Sequence, residues 1–108
     1  MGKSFDLSRE ANDAVCFYCR SYHHREYVLR EMCCPAPVRA AYSSINNAIR
    51  EAVGAECDAR LMEIIIEDIG NGRGFKYSPA VCMIGEAAYK RIKRIAKINI
   101  AKRLGLCR

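Results

Sequence analysis

Apolar residues recur at intervals of three and four along most of this 108-residue chain, and this spacing constrains the fold more than any other feature. It is the spacing that places apolar side chains on one face of an α-helix. The alternation of apolar and polar residues that is typical of half-buried strands is missing, and helix-forming residues dominate. Since a chain of this length fits one domain, the sequence predicts a single all-α domain over residues 1–108, a bundle of four or five helices.

Proline and glycine divide this pattern into predicted helices. A long N-terminal helix is predicted over about residues 7–33, ended by "CCPAPV" because proline cannot continue a helix. A second is predicted over about 38–53. A third, over about 56–69, is the most apolar and is expected to be the central core helix. The apolar stripe predicted for the N-terminal helix consists of Leu7, Ala11, Ala14, Tyr18, Tyr22, Leu29 and Met32, with Arg25 as a gap.

The segment that follows the third helix predicts a helix-turn-helix over about residues 77–105. "GNGRGF", Gly70–Phe75, is read as a flexible connector and not as a phosphate-binding loop, since no strand precedes it and no Lys-Ser/Thr follows. Ser78 and Pro79 suit the start of a short helix of about two turns. A long basic helix is then predicted from about Glu86 to Leu104.

The positive charge of the chain is concentrated at its C-terminal end. Residues 1–85 carry ten Lys or Arg and eleven Asp or Glu, whereas residues 86–108 carry eight Lys or Arg and one Glu. The net charge of +6 therefore comes from the last segment, and this asymmetry indicates an anionic partner such as nucleic acid.

A helical projection of the last helix separates an apolar face from a basic one. A helix anchored by one face and cationic on the other suits the major groove of DNA. A membrane surface, an acidic protein surface and a plain solvated face are the alternatives, because basic residues near a helix C-terminus also complement its dipole. The face expected to pack on the core consists of Tyr89, Ile92, Ala96 and Ile100, and the basic one of Lys90, Arg94 and Lys97, flanked by Arg91 and Lys93.

The same segment resembles a known family. The run from Ile84 to Arg91, "IGEAAYKR", continuing to the terminal "LGL", Leu104–Leu106, is similar to the C-terminal end of ArpU-type phage transcriptional regulators, whose helix-turn-helix resembles region 4 of sigma factors. The resemblance covers about 23 residues and implies an all-helical fold, DNA binding and a role in late phage transcription. The base-reading candidates that it implies are Gly85, Glu86, Ala87, Lys90, Arg91 and Arg94; with Lys93 and Lys97 these form the predicted DNA-binding set.

The cysteines and histidines offer a second candidate chemistry. Cys16 and Cys19 form a CxxC pair with His23 on the same predicted helical face, whereas Cys33 and Cys34 are adjacent. Structural zinc needs four ligands in a tetrahedron, and usually two CxxC-like pairs. We therefore expect reduced thiols used in packing, with no metal and no cofactor. The zinc reading at Cys16, Cys19 and His23 stays open.

No motif indicates an enzyme, and Glu63, Glu67 and Asp68 are spaced as a solvated face of the third helix. We expect a cytoplasmic protein, since the sequence has neither a secretory signal nor a membrane-spanning segment. The partner expected is double-stranded DNA, and the spare apolar positions Ile95 and Ile98 suggest a homodimer. The alternative function is a small phage protein that inhibits a host defence or nuclease complex through protein contact.

Overall fold

The computed structural model describes residues 7–106; residues 1–6 and 107–108, among them Cys107, lie outside this range. The described chain has five α-helices, two short 3₁₀ helices and no strand, which confirms the all-α prediction. The helices are α1 (Arg9–Arg20), α2 (Tyr22–Glu31), α3 (Ala36–Gly54), α4 (Ala59–Asn71) and α5 (Glu86–Arg103), and the 3₁₀ helices, Phe75–Tyr77 and Pro79–Cys82, lie between α4 and α5.

The N-terminal helical region is two helices and not the single long helix that the apolar spacing predicts. The break falls at Ser21, whose hydroxyl donates to the Phe17 carbonyl at 2.8 Å. A side chain that bonds the preceding turn in this way competes with the helical backbone. Arg25, the gap in the predicted stripe, is buried and donates to Ser21 Oγ at 2.7 Å and to the Tyr18 carbonyl. Arg25 therefore satisfies groups at the end of α1 and links them to α2.

The residues of α1 and α2 that face the interior differ from the predicted stripe. Ala11 and Tyr22 are buried as predicted, but Met32 is exposed and Ala14, Tyr18 and Leu29 are only partly buried. The two helices bury a neighbouring row of residues that were not part of the predicted stripe. That row consists of Val15, Cys19, Arg25 and Val28.

The core lies where α3, α4 and α5 meet α1. Helix α1 packs chiefly against α4, α3 packs against α5, and α2 covers α3. Each fully buried aliphatic side chain stabilises the fold by about 1.5–3 kcal/mol relative to exposure. The third predicted helix is a main source of core residues, as expected, with Leu61, Ile65, Ile66 and Ile69 buried; α3 contributes Ile49, Ala52 and Val53.

The crossing of α1 over α4 depends on a glycine that the sequence places in a loop. Gly70 lies within α4, which continues to Asn71 and ends at Gly72 in the left-handed conformation, φ 67°. A Cβ on Gly70 would lie 2.6 Å from the backbone nitrogen of Arg20 and 2.7 Å from its Cα. The prediction that the connector starts at Gly70 is therefore wrong, because α4 continues past this residue. The absence of a side chain at Gly70 lets the backbones of α1 and α4 come into contact.

Candidate nucleic-acid interface

The apolar face of α5 lies as the sequence predicts. Tyr89, Ile92, Ala96 and Ile100 are buried against the bundle. On the opposite side Lys90, Arg91 and Arg94 are exposed, and so are Gly85, Glu86 and Ala87 at the start of the helix. Lys93 and Lys97 are partly buried between the two faces. We call Lys90, Arg91 and Arg94 the outer face of α5.

The beginning of α5 lacks a side-chain cap. Gly85 occupies the N-cap position in an extended conformation, and it has no side chain that could form a capping hydrogen bond. Glu86, in the first turn, pairs with Lys90 at 3.0 Å, and both side chains are more than half exposed. An exposed pair of this kind contributes little stability, so a phosphate can displace Glu86 from Lys90 at small cost.

Lys93 is tied to the loop before α5. Its Nζ donates to the Arg73 carbonyl at 2.6 Å and lies 5.5 Å from the centre of the Tyr89 ring. Burial, followed by the positive charge of Lys97, lowers its pKa. Lys93 is therefore a link between α5 and the loop before it, and its predicted contact with DNA stays a prediction.

Asp68, which anchors that loop, is buried and not exposed as predicted. Asp68 is fully buried, so its placement on a solvated face is wrong. Its carboxylate accepts from Ser78 Oγ at 2.5 Å, from Tyr89 Oη at 2.8 Å and from Arg73 Nη1 at 3.0 Å. The signal was present in the sequence: Asp68 follows Leu61 by seven residues and Ile65 by three, which is the core-facing spacing of α4.

The Asp68 cluster fixes the register of α5. Burial, and then the hydrogen bond to Asp68, raise the pKa of Tyr89 to about 12, so its hydroxyl remains a donor throughout the neutral range. The same hydroxyl lies 3.2 Å from the Arg73 carbonyl that Lys93 also contacts. The first half of α5 and the loop of residues 73–78 are therefore one hydrogen-bonded unit.

A groove lies beside the outer face, between α5, the beginning of α1 and the loop at Gly74–Phe75, with a volume of about 400 Å³. Leu7, Phe75 and Ile98 form the apolar part of its wall. None of the described residues that line it is acidic. The cations on its wall are Lys90, Lys93, Arg94 and Lys97.

The predicted helix-turn-helix is not confirmed. The first of its two helices is a single 3₁₀ turn, Pro79–Cys82, instead of an α-helix of two turns. It closes early because the Ala80 carbonyl accepts from both the Met83 and the Ile84 amides, after which Gly85 is extended. Helix α5 packs more against α3 than against any other helix.

The cysteines do not gather into a metal site in the described structure. Cys19 is buried in the core, and burial raises the pKa of its thiol to about 12. His23 is exposed, and its Nε2 lies 4.0 Å from a Glu67 carboxylate oxygen. Within residues 7–106, no three His, Cys, Asp or Glu side chains are arranged to hold a metal ion.

Comparisons with known proteins add no family assignment: no protein-family model, no curated protein and no solved structure matches the chain significantly. Among the helices of residues 7–106, none has the length and apolar character needed to cross a membrane.

Proposed function

We propose that this protein binds double-stranded DNA through the outer face of α5 and acts as a phage-encoded transcriptional regulator. The observation that carries the proposal is the exposure of Lys90, Arg91 and Arg94 along one side of a helix whose other side is buried. The regulatory role and the phage origin rest on the sequence resemblance of residues 84–106.

The geometry of α5 supports contact with a duplex. The major groove of B-DNA is about 12 Å wide and admits an α-helix, and α5 has 18 residues. Arg and Lys side chains neutralise phosphates and pair with guanine edges. Helix α5 is supported by packing on α3, and it therefore does not need an α-helix directly before it in the chain to present its outer face. The proposal does not depend on a regular helix-turn-helix.

The proposal predicts steeply salt-dependent binding. If about four phosphates are neutralised, affinity for a duplex should fall roughly a hundredfold between 50 and 200 mM salt. Fluorescence anisotropy of a labelled duplex, titrated with protein at several salt concentrations, measures this slope. Affinity that is independent of salt, or no binding at low salt, would contradict the proposal.

Arg91→Gln is the sharpest variant, because Arg91 is exposed on the outer face. We expect weaker binding and a slope reduced by about 0.9, the contribution of one phosphate contact. The matched control is Arg30→Gln, which makes the same change in net charge at an exposed position of α2. Equal effects of the two substitutions would show that only the net charge matters and that α5 is not the contact surface.

Protein contact is a second candidate, and one region of the surface favours it. Residues 35–41, the first turns of α3 and the proline before them, are all exposed although most are apolar, and Met32 beside them is 49% exposed. Arg39 ties this corner together through the Leu29 and Met32 carbonyls. An exposed apolar corner is typical of an interaction surface, for a second copy of the chain or a host protein.

Val38→Glu separates the two candidates, since Val38 lies in this corner and away from α5. Sedimentation velocity would show loss of a dimer, if one forms, and co-purification would show loss of a host partner. Duplex binding should be reduced only if two copies bind DNA together. An unchanged assembly state and unchanged partners would contradict an interface at this corner.

A further inference from the structure

The groove beside α5 combines features that an extended nucleic-acid contact surface does not need. Its volume of about 400 Å³ is in the range of small-molecule sites. The lining includes the apolar side chains of Leu7, Phe75 and Ile98 together with four cationic side chains of α5. A ligand that satisfies both parts has an uncharged ring system and an anionic group.

The individual residues of the groove indicate which ring system and which anionic group fit it. The Phe75 ring packs against Tyr89 with centroids 5.3 Å apart and also faces the groove, so it provides an aromatic surface for a planar ring. Asn12, on the groove wall, has an amide that can both donate and accept hydrogen bonds. Several ammonium and guanidinium groups within one cavity favour a multiply charged anion such as a pyrophosphate.

We propose that this groove binds a nucleoside diphosphate, with its base against Phe75 and its phosphates among Lys90, Lys93, Arg94 and Lys97. Burial and the charge of Lys97 lower the pKa of Lys93. The negative charge of a bound phosphate would raise this pKa and so favour the charged form of Lys93.

Occupancy of the groove has a consequence for the surface beside it. Lys90 and Arg94 belong both to the groove and to the outer face of α5, so a nucleotide and a duplex compete for the same cations. This competition, which rests on the proposed DNA binding, makes the nucleotide a negative effector of DNA binding. By linkage, DNA weakens nucleotide binding by the same factor.

Calorimetry with ADP tests the groove without reference to DNA. We expect ADP to bind, and adenosine and inorganic pyrophosphate to bind at least about tenfold more weakly, because each satisfies one part of the wall only. Amide chemical shifts should change at Gly74, Phe75 and Ile98. Equal affinity for ADP and pyrophosphate, or shift changes confined to the outer face, would reduce the site to a general anion surface and overturn the proposal.

Two substitutions separate the groove from the DNA-binding face. Ile98→Phe adds bulk to the groove without changing charge, and should weaken ADP at least tenfold while weakening duplex binding less than Arg91→Gln does. Arg91→Gln, outside the groove, should do the reverse. Circular dichroism confirms that both variants fold. ADP affinity unchanged by Ile98→Phe would overturn the site, whereas failure of duplex binding with ADP binding intact would overturn only the proposed function and the competition.

Discussion

Asp68 is the residue on which the loop before α5 and the first half of that helix converge. Its carboxylate accepts hydrogen bonds from a serine, a tyrosine and an arginine while it is shielded from water. A buried charge costs several kcal/mol of desolvation unless it is paired and fully hydrogen-bonded. The three donors meet that requirement.

Asp68→Asn is expected to destabilise the fold by about 3 kcal/mol, because it leaves Arg73 without its buried counter-charge and turns an amide group towards donors. Urea unfolding measures the loss. The control is Glu67→Gln, since Glu67 also pairs with Arg73 but is 47% exposed; it should change stability by less than about 0.5 kcal/mol. Similar losses for the two variants would show that burial of the Asp68 carboxylate is not important.

At the scale of elements, the position of α1 relative to α4 is set by the absence of a side chain at Gly70. Arg20 reinforces the crossing, with its Nε donating to the Gly70 carbonyl at 3.1 Å. Both atoms nearest to an added Cβ belong to backbone, so the neighbour cannot move aside by changing rotamer.

Gly70→Ala should therefore destabilise the protein by about 1–3 kcal/mol, as expected for overpacking in a tightly packed interior, although alanine is the better helix former. The matched control is Gly74→Ala. Gly74 has no atom within 4 Å of an added Cβ and has φ −87°, so there the substitution should be neutral or stabilising. Thermal unfolding followed by circular dichroism compares them, and a stabilised Gly70→Ala variant would contradict the close crossing.

The elements that could be predicted from the sequence are those with strong local signals. Helix α5, including its buried face, follows from helical spacing, and the starts of α3 and α4 fall within a few residues of expectation. The break at Ser21 and the inclusion of Gly70 in α4 depend on partners in other helices. Helical spacing carries no information about such partners, so Arg25 was left as a gap in the predicted stripe. The burial of Asp68, in contrast, could have been predicted from its spacing to Leu61 and Ile65.

The whole molecule has one core to which both its N-terminal and its C-terminal helices contribute. Val15 and Cys19 of α1 belong to the same buried cluster as Ala96 and Ile100 of α5. Since neither end has a separate core within the described residues, unfolding should be a single cooperative transition.

The Cys19 thiol provides a probe of that transition. Cys19 is buried, and its raised pKa keeps it protonated and unreactive. Its modification by a maleimide, followed by mass spectrometry, should require global unfolding, and its rate should fall exponentially as the free energy of unfolding rises. The exposed Cys33 and Cys82 serve as internal controls that react in the native state. Rapid labelling of Cys19 under native conditions would show that α1 detaches separately.

The junction between α1 and α2 is connected to a residue far along the chain. Arg25 Nε donates to Asn46 Oδ1 at 2.6 Å, and this amide lies in α3, 21 residues further on. The three acceptors of the Arg25 guanidinium, namely Asn46, Ser21 and Tyr18, are all neutral. One buried guanidinium thus joins the end of α1, the start of α2 and the middle of α3 through neutral partners alone.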